Sequence, residues 1–262
     1  MTRSNQLLGQ SGLPAHEAAR LLASATGHSL GEVRGGVDVT GDDVMSFLRL
    51  VERRLAGEPL QYLEGDVQFG PVTIQVDPRA LIPRPETEFL YELAAGIRQS
   101  PRIVVDLCTG SGALALALKH RFPKSRVLAV DFSPAALDLA RANGARLKLE
   151  VEWLEGSLWE PLPSGLLGAI DLVVANPPYI AEREWEGLPV DVRHEPAVAL
   201  VAGPSGTETI EALLADLGGW LAGGGTGLIE VGEAQAEDLA ARHGCEVIED
   251  QYGRPRFLRI SG

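Results

Sequence analysis

At 262 residues the chain can hold one large domain and a small one, and its 45% hydrophobic content lacks any apolar run of about 18, so a soluble chain with no membrane partner is expected. A net charge of −13 argues against a direct nucleic-acid partner: residues 1–60 carry six arginines against seven acids, and the remainder 17 basic against 29 acidic residues. No charged-then-apolar leader opens the chain, so a cytoplasmic location is expected, and two cysteines, Cys108 and Cys245, give neither a disulfide framework nor a metal-ligand spacing.

Residues 1–59 read as small helices. Leu13-Pro14-Ala15-His16-Glu17 opens one, with Ala18, Ala19, Leu21, Leu22 and Ala25 along it. Thr40, with Asp42 and Asp43 in the first turn, opens another that carries Val44, Phe47, Leu48, Val51 and Leu55 at helical spacing. The Met, Phe and Leu residues here are expected to form this small domain's own core. Residues 60–80 alternate across Gly70-Pro71, with Tyr62, Val67 and Phe69 before it and Val72, Ile74 and Val76 after, and read as a β-hairpin linker. From 81 to 262 βαβ units repeat. Strands are expected near 103–107, 126–131, 149–154, 171–176, 226–231, 245–249 and 256–260, with helices between them that include Pro134–Gly144 and Gly206–Leu221.

Two places in this α/β domain carry chemistry. The strand Arg102-Ile103-Val104-Val105-Asp106-Leu107 runs into Cys108-Thr109-Gly110-Ser111-Gly112 and then into the helix-forming Ala113–Leu118. Strand, Gly turn and helix form the first unit of a nucleotide-binding fold; a Gly-Lys-Ser/Thr P-loop is absent. The next strand ends in Asp131, at the spacing from Gly110 where an acid takes a ribose diol. The pair reads as a site for an adenosine without a pyrophosphate, and S-adenosyl-L-methionine fits. Asp106, Thr109, Gly110 and Gly112 would then shape the methionine end and Asp131 would hold the ribose. Phe132 reads equally as an adenine platform or a core residue. The fold class is therefore a Rossmann-like class I S-adenosylmethionine-dependent methyltransferase sheet with a small N-terminal helical domain. Cys108 reads as an apolar filler in the loop rather than a reactive thiol.

The second place is Asn176-Pro177-Pro178-Tyr179, which follows the apolar run 169–175. Two prolines cannot continue a strand ladder, because each lacks an N–H. The Asn side chain and the Pro177 carbonyl are two acceptors on stiff backbone, and Tyr179 offers a flat face. That set suits a planar –NH2 group, although the string alone also serves as a plain turn.

With Ile82-Pro83-Arg84-Pro85-Glu86-Thr87-Glu88, the 106–112 loop, Asn176–Tyr179 and Glu195-Pro196 in this order, the chain resembles the protein-(glutamine-N5) methyltransferases, PrmC/HemK, over roughly residues 50–260. The upstream Gly57–Tyr62, Glu230-Val231-Gly232, Gln235 and the stretch 250–256 add to the likeness. The resemblance implies methyl transfer from S-adenosyl-L-methionine, with S-adenosyl-L-homocysteine as product, to the glutamine of the Gly-Gly-Gln tip of a peptide chain release factor. It implies roles for Asn176, Pro177 and Tyr179 at the acceptor amide. Arg84, Pro85, Glu86, Thr87, Pro178 and Glu195 would lie on the substrate side, and Ser157, Leu158, Trp159 and Asn176 beside the cofactor. The chain departs from the family at Cys108, where Gly is frequent, at Ser157, where an acid is frequent, and over Ala202–Gly206. A monomer is expected. The alternatives are a ribosomal-protein glutamine methyltransferase, a DNA amino-methyltransferase, which the acidic charge disfavours, and a silent cofactor-binding scaffold.

Overall fold

The computed structural model describes residues 2–262. The chain forms two compact units: one runs to Asp66 and takes back Pro189–His194, and the other holds Val67–Leu188 and Glu195–Gly262.

The first unit contains helices α1 (Ser4–Gln10), α2 (Ala15–Thr26), α3 (Leu30–Gly35), α4 (Gly41–Leu55) and α5 (Leu60–Glu64), with short strands β1 (Thr2–Arg3) and β2 (Asp38–Val39) paired antiparallel. The starts of α3 and α4 follow from their caps. Ser29 accepts the Glu32 N–H at 3.3 Å while the Glu32 carboxylate accepts the Ser29 N–H at 2.9 Å. Thr40 and Asp43 make the same reciprocal pair at 3.2 and 3.0 Å. Leu21, Leu22, Val33, Phe47, Val51 and Leu60 share one core. Not every apolar residue of α4 joins it: Met45, Leu48 and Leu55 are exposed. Met45 and Leu48 each follow an inward-facing residue and so lie about 100° further round the helix, and Leu55 sits in the last turn.

The expected hairpin over 60–80 is narrower. Residues 60–64 form α5, whose Leu60 and Leu63 add to the small core, and the hairpin proper is β3 (Asp66–Phe69) with β4 (Val72–Gln75). Its turn at Gly70 takes φ +50°, and the Gly70 N–H donates to the Glu88 carboxylate at 2.8 Å.

The second unit continues with α6 (Pro85–Ile97), β5 (Ile103–Leu107), α7 (Ala113–Arg121), β6 (Arg126–Asp131), α8 (Pro134–Leu147), β7 (Glu152–Glu155), β8 (Ile170–Ala175), β9 (Ile180–Ala181), β10 (Val201–Gly203), α9 (Glu208–Trp220), β11 (Leu221–Glu230), α10 (Ala236–His243), β12 (Glu246–Glu249) and β13 (Pro255–Ser261). Seven strands form one sheet in the order β12-β13-β11-β8-β5-β6-β7, parallel except for β13. Helix α8 runs past its expected end at Gly144, because that glycine serves packing: a Cβ there would lie 3.1 Å from the Trp153 ring. Strand β7 accordingly starts later than expected. Strand β11 starts earlier and is irregular between Leu221 and Thr226, across three glycines that alternation cannot reveal.

Register places the chemistry. Leu107 pairs with both Val130 and Ala175, Ile229 pairs with Ala175, and Asp131 pairs with Glu155. The Gly loop, Asp131, Ser157, Asn176 and Glu230 therefore leave the sheet at one edge, outside the carboxyl ends of the strands, where the chain order reverses between β5 and β8.

Gly112 stands at the start of α7 with φ +81°, and a Cβ on it would come within 2.9 Å of the Trp153 ring and 3.1 Å of Ala140. Left-handed backbone and crowding act together there. Gly112→Ala should lower stability by about 2–4 kcal/mol, read as a lower denaturant midpoint with unchanged slope.

Candidate active site

Outside the ends of β5, β6 and β8 lies an open cavity, lined among others by Asp106, Gly110, Asp131, Asn176, Pro83 and Thr87. A second hollow shares Cys108, Asp131, Phe132, Pro178 and Val198 with the first and adds Ser157, Leu158 and Glu208. The two are halves of one cleft that meet at Asp131 and Phe132. Phe132 is 52% exposed, so it is a wall of the cleft rather than a core residue.

The Gly loop is held from below by Asp106. Its buried carboxylate accepts the Thr109 hydroxyl at 2.5 Å and the Ala115 N–H at 3.1 Å, which ties the loop to the first turn of α7. Burial pushes the Asp106 carboxyl up to about 7, with the nearby Asp131 adding to the rise. Gly110 takes φ +55°, and a Cβ there would meet only Ala80, at 3.9 Å, so the backbone is open to the cavity. Cys108 also takes a left-handed conformation, φ +59°, where glycine is at ease. Burial pushes its thiol up, away from the nucleophilic thiolate.

Asp131 accepts the Gly110 N–H at 2.8 Å through one oxygen and the Ser133 N–H at 2.9 Å through the other. Each oxygen keeps a lone pair for a further donor. Burial raises its pKa despite these bonds. Asn143, invisible in the sequence as a mid-helix residue of α8, is fully buried: it accepts the Gln75 N–H at 2.8 Å and donates to the Gln75 and Ser111 carbonyls at 3.0 Å. It pins β4 to the Gly loop.

The loop before α6 is fixed by Glu195, whose buried carboxylate accepts the Ile82 N–H at 2.9 Å and pairs with Arg84. Pro85 takes the first helical position, as its missing N–H allows. Glu86 faces Arg254 at 3.5 Å. Thr87, next in the first turn, points to the motif loop.

There the geometry is continuous. Asn176 Nδ2 donates to Thr87 Oγ1 at 2.8 Å, and Thr87 Oγ1 donates to Glu230 Oε2 at 2.8 Å. Arg256 stands 3.4 Å from Glu230 Oε1 and donates to the Tyr179 hydroxyl at 2.6 Å, with its guanidinium 5.0 Å from the ring centroid. Glu230 is fully buried, and burial pushes its carboxyl up to about 7 against the opposing pull of Arg256 and Thr87. With Nδ2 committed, Asn176 lines the cavity with an Oδ1 that has no hydrogen-bond partner among the described residues. Nor does the Pro177 carbonyl accept a backbone bond among them. Two acceptors thus stand at the end of β8. Gln235 holds the far side of the motif, donating to the Tyr179 carbonyl at 2.9 Å and the Gly206 carbonyl at 3.1 Å.

Several expected site residues line neither hollow, Gly112, Pro177, Trp159 and Tyr179 among them. Trp159 is buried, stacked on Trp220 at 5.5 Å and donating to the Leu213 carbonyl at 3.2 Å, so it belongs to the core beneath the second hollow. Tyr179 does not line either hollow; its hydroxyl and ring are engaged by Arg256. The departure at 202–206 is a turn whose Ser205, Gly206 and Thr207 N–H groups converge on the Glu208 carboxylate at 2.8–3.0 Å, bonds that hold its pKa at about 2. Glu230 and Arg256 carried a family likeness in the sequence but no visible tie to Asn176.

Residues 104–189 match the family described as a methyltransferase domain, and residues 2–65 match the PrmC N-terminal domain. The chain is 40% identical to the release factor glutamine methyltransferase of Deinococcus radiodurans, over 99% of this chain and 96% of that protein. It is 42% identical to the one of Mycolicibacterium smegmatis, over 92% of this chain and 88% of that protein. Among solved structures, a ribosomal protein L11 methylase from Lactobacillus delbrueckii subsp. bulgaricus shares the fold, with a TM-score of 0.52 and 23% identity over 72% of this chain and 84% of that one. With such identities to its curated relatives over nearly its whole length, the chain belongs to the release factor glutamine methyltransferase family.

Proposed function

We infer that this chain transfers a methyl group from S-adenosyl-L-methionine to the side-chain amide nitrogen of the glutamine in the Gly-Gly-Gln motif of a peptide chain release factor. The observation that carries this reading is the fixed orientation of Asn176, whose Nδ2 is spent on Thr87 so that Oδ1 is left for a donor in the cavity. A primary amide brings two donors, and Asn176 Oδ1 and the Pro177 carbonyl are two acceptors. Held between them, the amide nitrogen is aimed into the cavity and positive charge growing on it is favoured.

The residues present fit the cofactor. Gly110 leaves its loop open, Asp131 has lone pairs to spare for the ribose hydroxyls, and Phe132, Ser157 and Leu158 line the half of the cleft that would take adenine. S-adenosylmethionine, when bound, supplies a methyl already activated by its sulfonium. The chain's own work is to place the acceptor nitrogen in line and keep it there. The Arg84–Glu195 pair and Pro85 hold the loop on the substrate side, and Tyr179 serves the site through Arg256 rather than as a surface for the amide.

The helical unit, which runs to Asp66 rather than to residue 59, is proposed to recognise the protein substrate without taking part in the chemistry, and the second unit, from Val67, to hold the catalytic site. No helix among the described residues is long and apolar enough to cross a membrane. A cytoplasmic monomer that binds no nucleic acid directly completes the proposal. Labelled S-adenosylmethionine offered in parallel to a purified release factor, to ribosomal proteins and to DNA tests it. Label should enter the release factor; label confined to ribosomal protein or DNA would replace this reading with one of its rivals.

A further inference from the structure

We propose that Thr87 and Glu230 are positioning residues that determine which atom of Asn176 faces the acceptor amide. The proposal rests on the reading of Asn176 as an acceptor, and the geometry extends it. The Thr87 hydroxyl has one proton and lies 2.8 Å from both Asn176 Nδ2 and Glu230 Oε2. When Glu230 is a carboxylate, the proton goes to Glu230, and the hydroxyl oxygen is left to accept from Nδ2. Asn176 must then turn Oδ1 outward. Were Oε2 protonated, it would donate to Thr87, whose own proton would turn toward Asn176. The amide would satisfy that donor only by rotating half a turn, bringing Oδ1 inward and –NH2 outward. Two donors would then face the two donors of a substrate amide. The ionisation of Glu230, a residue the acceptor does not touch, thereby selects between a binding and a repelling surface.

The groups around Glu230 come from three elements: Thr87 and Glu86 from α6, Arg256 from β13, and Tyr179 from the motif loop. Arg256 favours the carboxylate and Glu86 opposes it, itself facing Arg254 at 3.5 Å. Burial is the largest influence and brings the carboxyl to about 7, so the relay should reverse on the acid side of neutrality. Because a raised pKa leaves the group protonated below that value, activity through the relay rises with pH across it.

The test uses the full chain with a purified release factor as acceptor and S-adenosylhomocysteine as the cofactor probe. At saturating acceptor, Thr87→Val should slow single-turnover transfer at least about tenfold, Thr87→Ser should stay within about threefold of wild type, and both should bind S-adenosylhomocysteine within about twofold of it. In wild-type protein, the Asn176 side-chain amide signal in a nitrogen-15 spectrum, identified by its loss in Asn176→Ala, should shift with a midpoint near that of Glu230, and should not shift in Glu230→Gln. Wild-type transfer by Thr87→Val while Asn176→Ala is inactive would overturn the proposal and leave the acceptor reading standing. A wild-type Asn176 signal that ignores pH would also overturn it, even if Thr87→Val does not fold. Near-normal transfer by Asn176→Ala would overturn the acceptor reading and the proposal with it.

Discussion

Replacing Asn176 with alanine should lower methyl transfer roughly 10²–10³-fold, the loss expected when one pre-organised polar contact to developing charge is removed. Affinity for S-adenosylhomocysteine should change little, because Oδ1 is assigned to the acceptor and the Gly loop and Asp131 are untouched. Stability should fall only modestly: Thr87 keeps its bond to Glu230 and loses one donor. Asn176→Asp is informative for a different reason. It keeps an acceptor toward the cavity but removes the donor that Thr87 receives, and it sets a second carboxylate in line with Glu230 across one hydroxyl. Like charges that close raise each other's pKa, so the variant should be no more active than Asn176→Ala near neutral pH and should melt lower. An Asn with a purely structural role would behave otherwise, losing melting temperature and cofactor affinity together in both variants.

The second large effect is expected at Asp131. Its carboxylate orders the Gly loop through the Gly110 N–H and the start of α8 through the Ser133 N–H, while its remaining lone pairs face the cleft. Asp131→Ala removes two charge-assisted bonds to the ribose, each worth roughly 1.5–3 kcal/mol, and also frees the loop that must receive the methionine end. Affinity for S-adenosylhomocysteine measured by calorimetry should fall at least about tenfold. Asp131→Asn separates the two contributions. It keeps the shape but turns an –NH2 toward one of the backbone N–H groups, so it too should bind weakly and should in addition lose stability. Because burial raises the Asp131 pKa, wild-type affinity should fall as pH drops through that raised value, and the fall should be absent in Asp131→Ala. Unchanged affinity in a folded Asp131→Ala protein would remove the ribose assignment.

How much of this was legible beforehand follows from the range of each interaction. The runs 103–107, 126–131 and 171–176 are short, apolar and bounded by Gly, Asp and Pro, and each becomes a central strand ending where its boundary residue indicates. Thr40 with Asp43 three residues on is a local signal, and it caps α4. Signals of this kind lie within a few residues of the structure they dictate. The relay behind Asn176 does not: Thr87 and Glu230 are 143 residues apart in the chain, and it takes the packing of α6 on β11 to bring them together, while the β8–β11 register sets Asn176 beside them. Asn143 looks like any polar residue on a helix until β4 is seen to need its amide. The resemblance sets Trp159 beside the cofactor, yet a large ring one residue beyond a cleft-lining leucine finds its partner in Trp220 below. The return of Pro189–His194 to the helical unit is a long-range event of the same kind, unmarked by composition.

The central claim is that the acceptor is a side-chain amide nitrogen held by the end of β8. The most direct test is to methylate a release factor carrying nitrogen-15 glutamine with a carbon-13 methyl donor and to read the new bond by one-bond carbon–nitrogen coupling, after mapping the modified peptide by mass spectrometry. The account predicts a single carbon–nitrogen coupling, on the side-chain amide of the Gly-Gly-Gln glutamine, made by the wild-type chain and lost with Asn176→Ala. A carbon-13 methyl on any other atom, or the same product formed at a normal rate by Asn176→Ala, would contradict it.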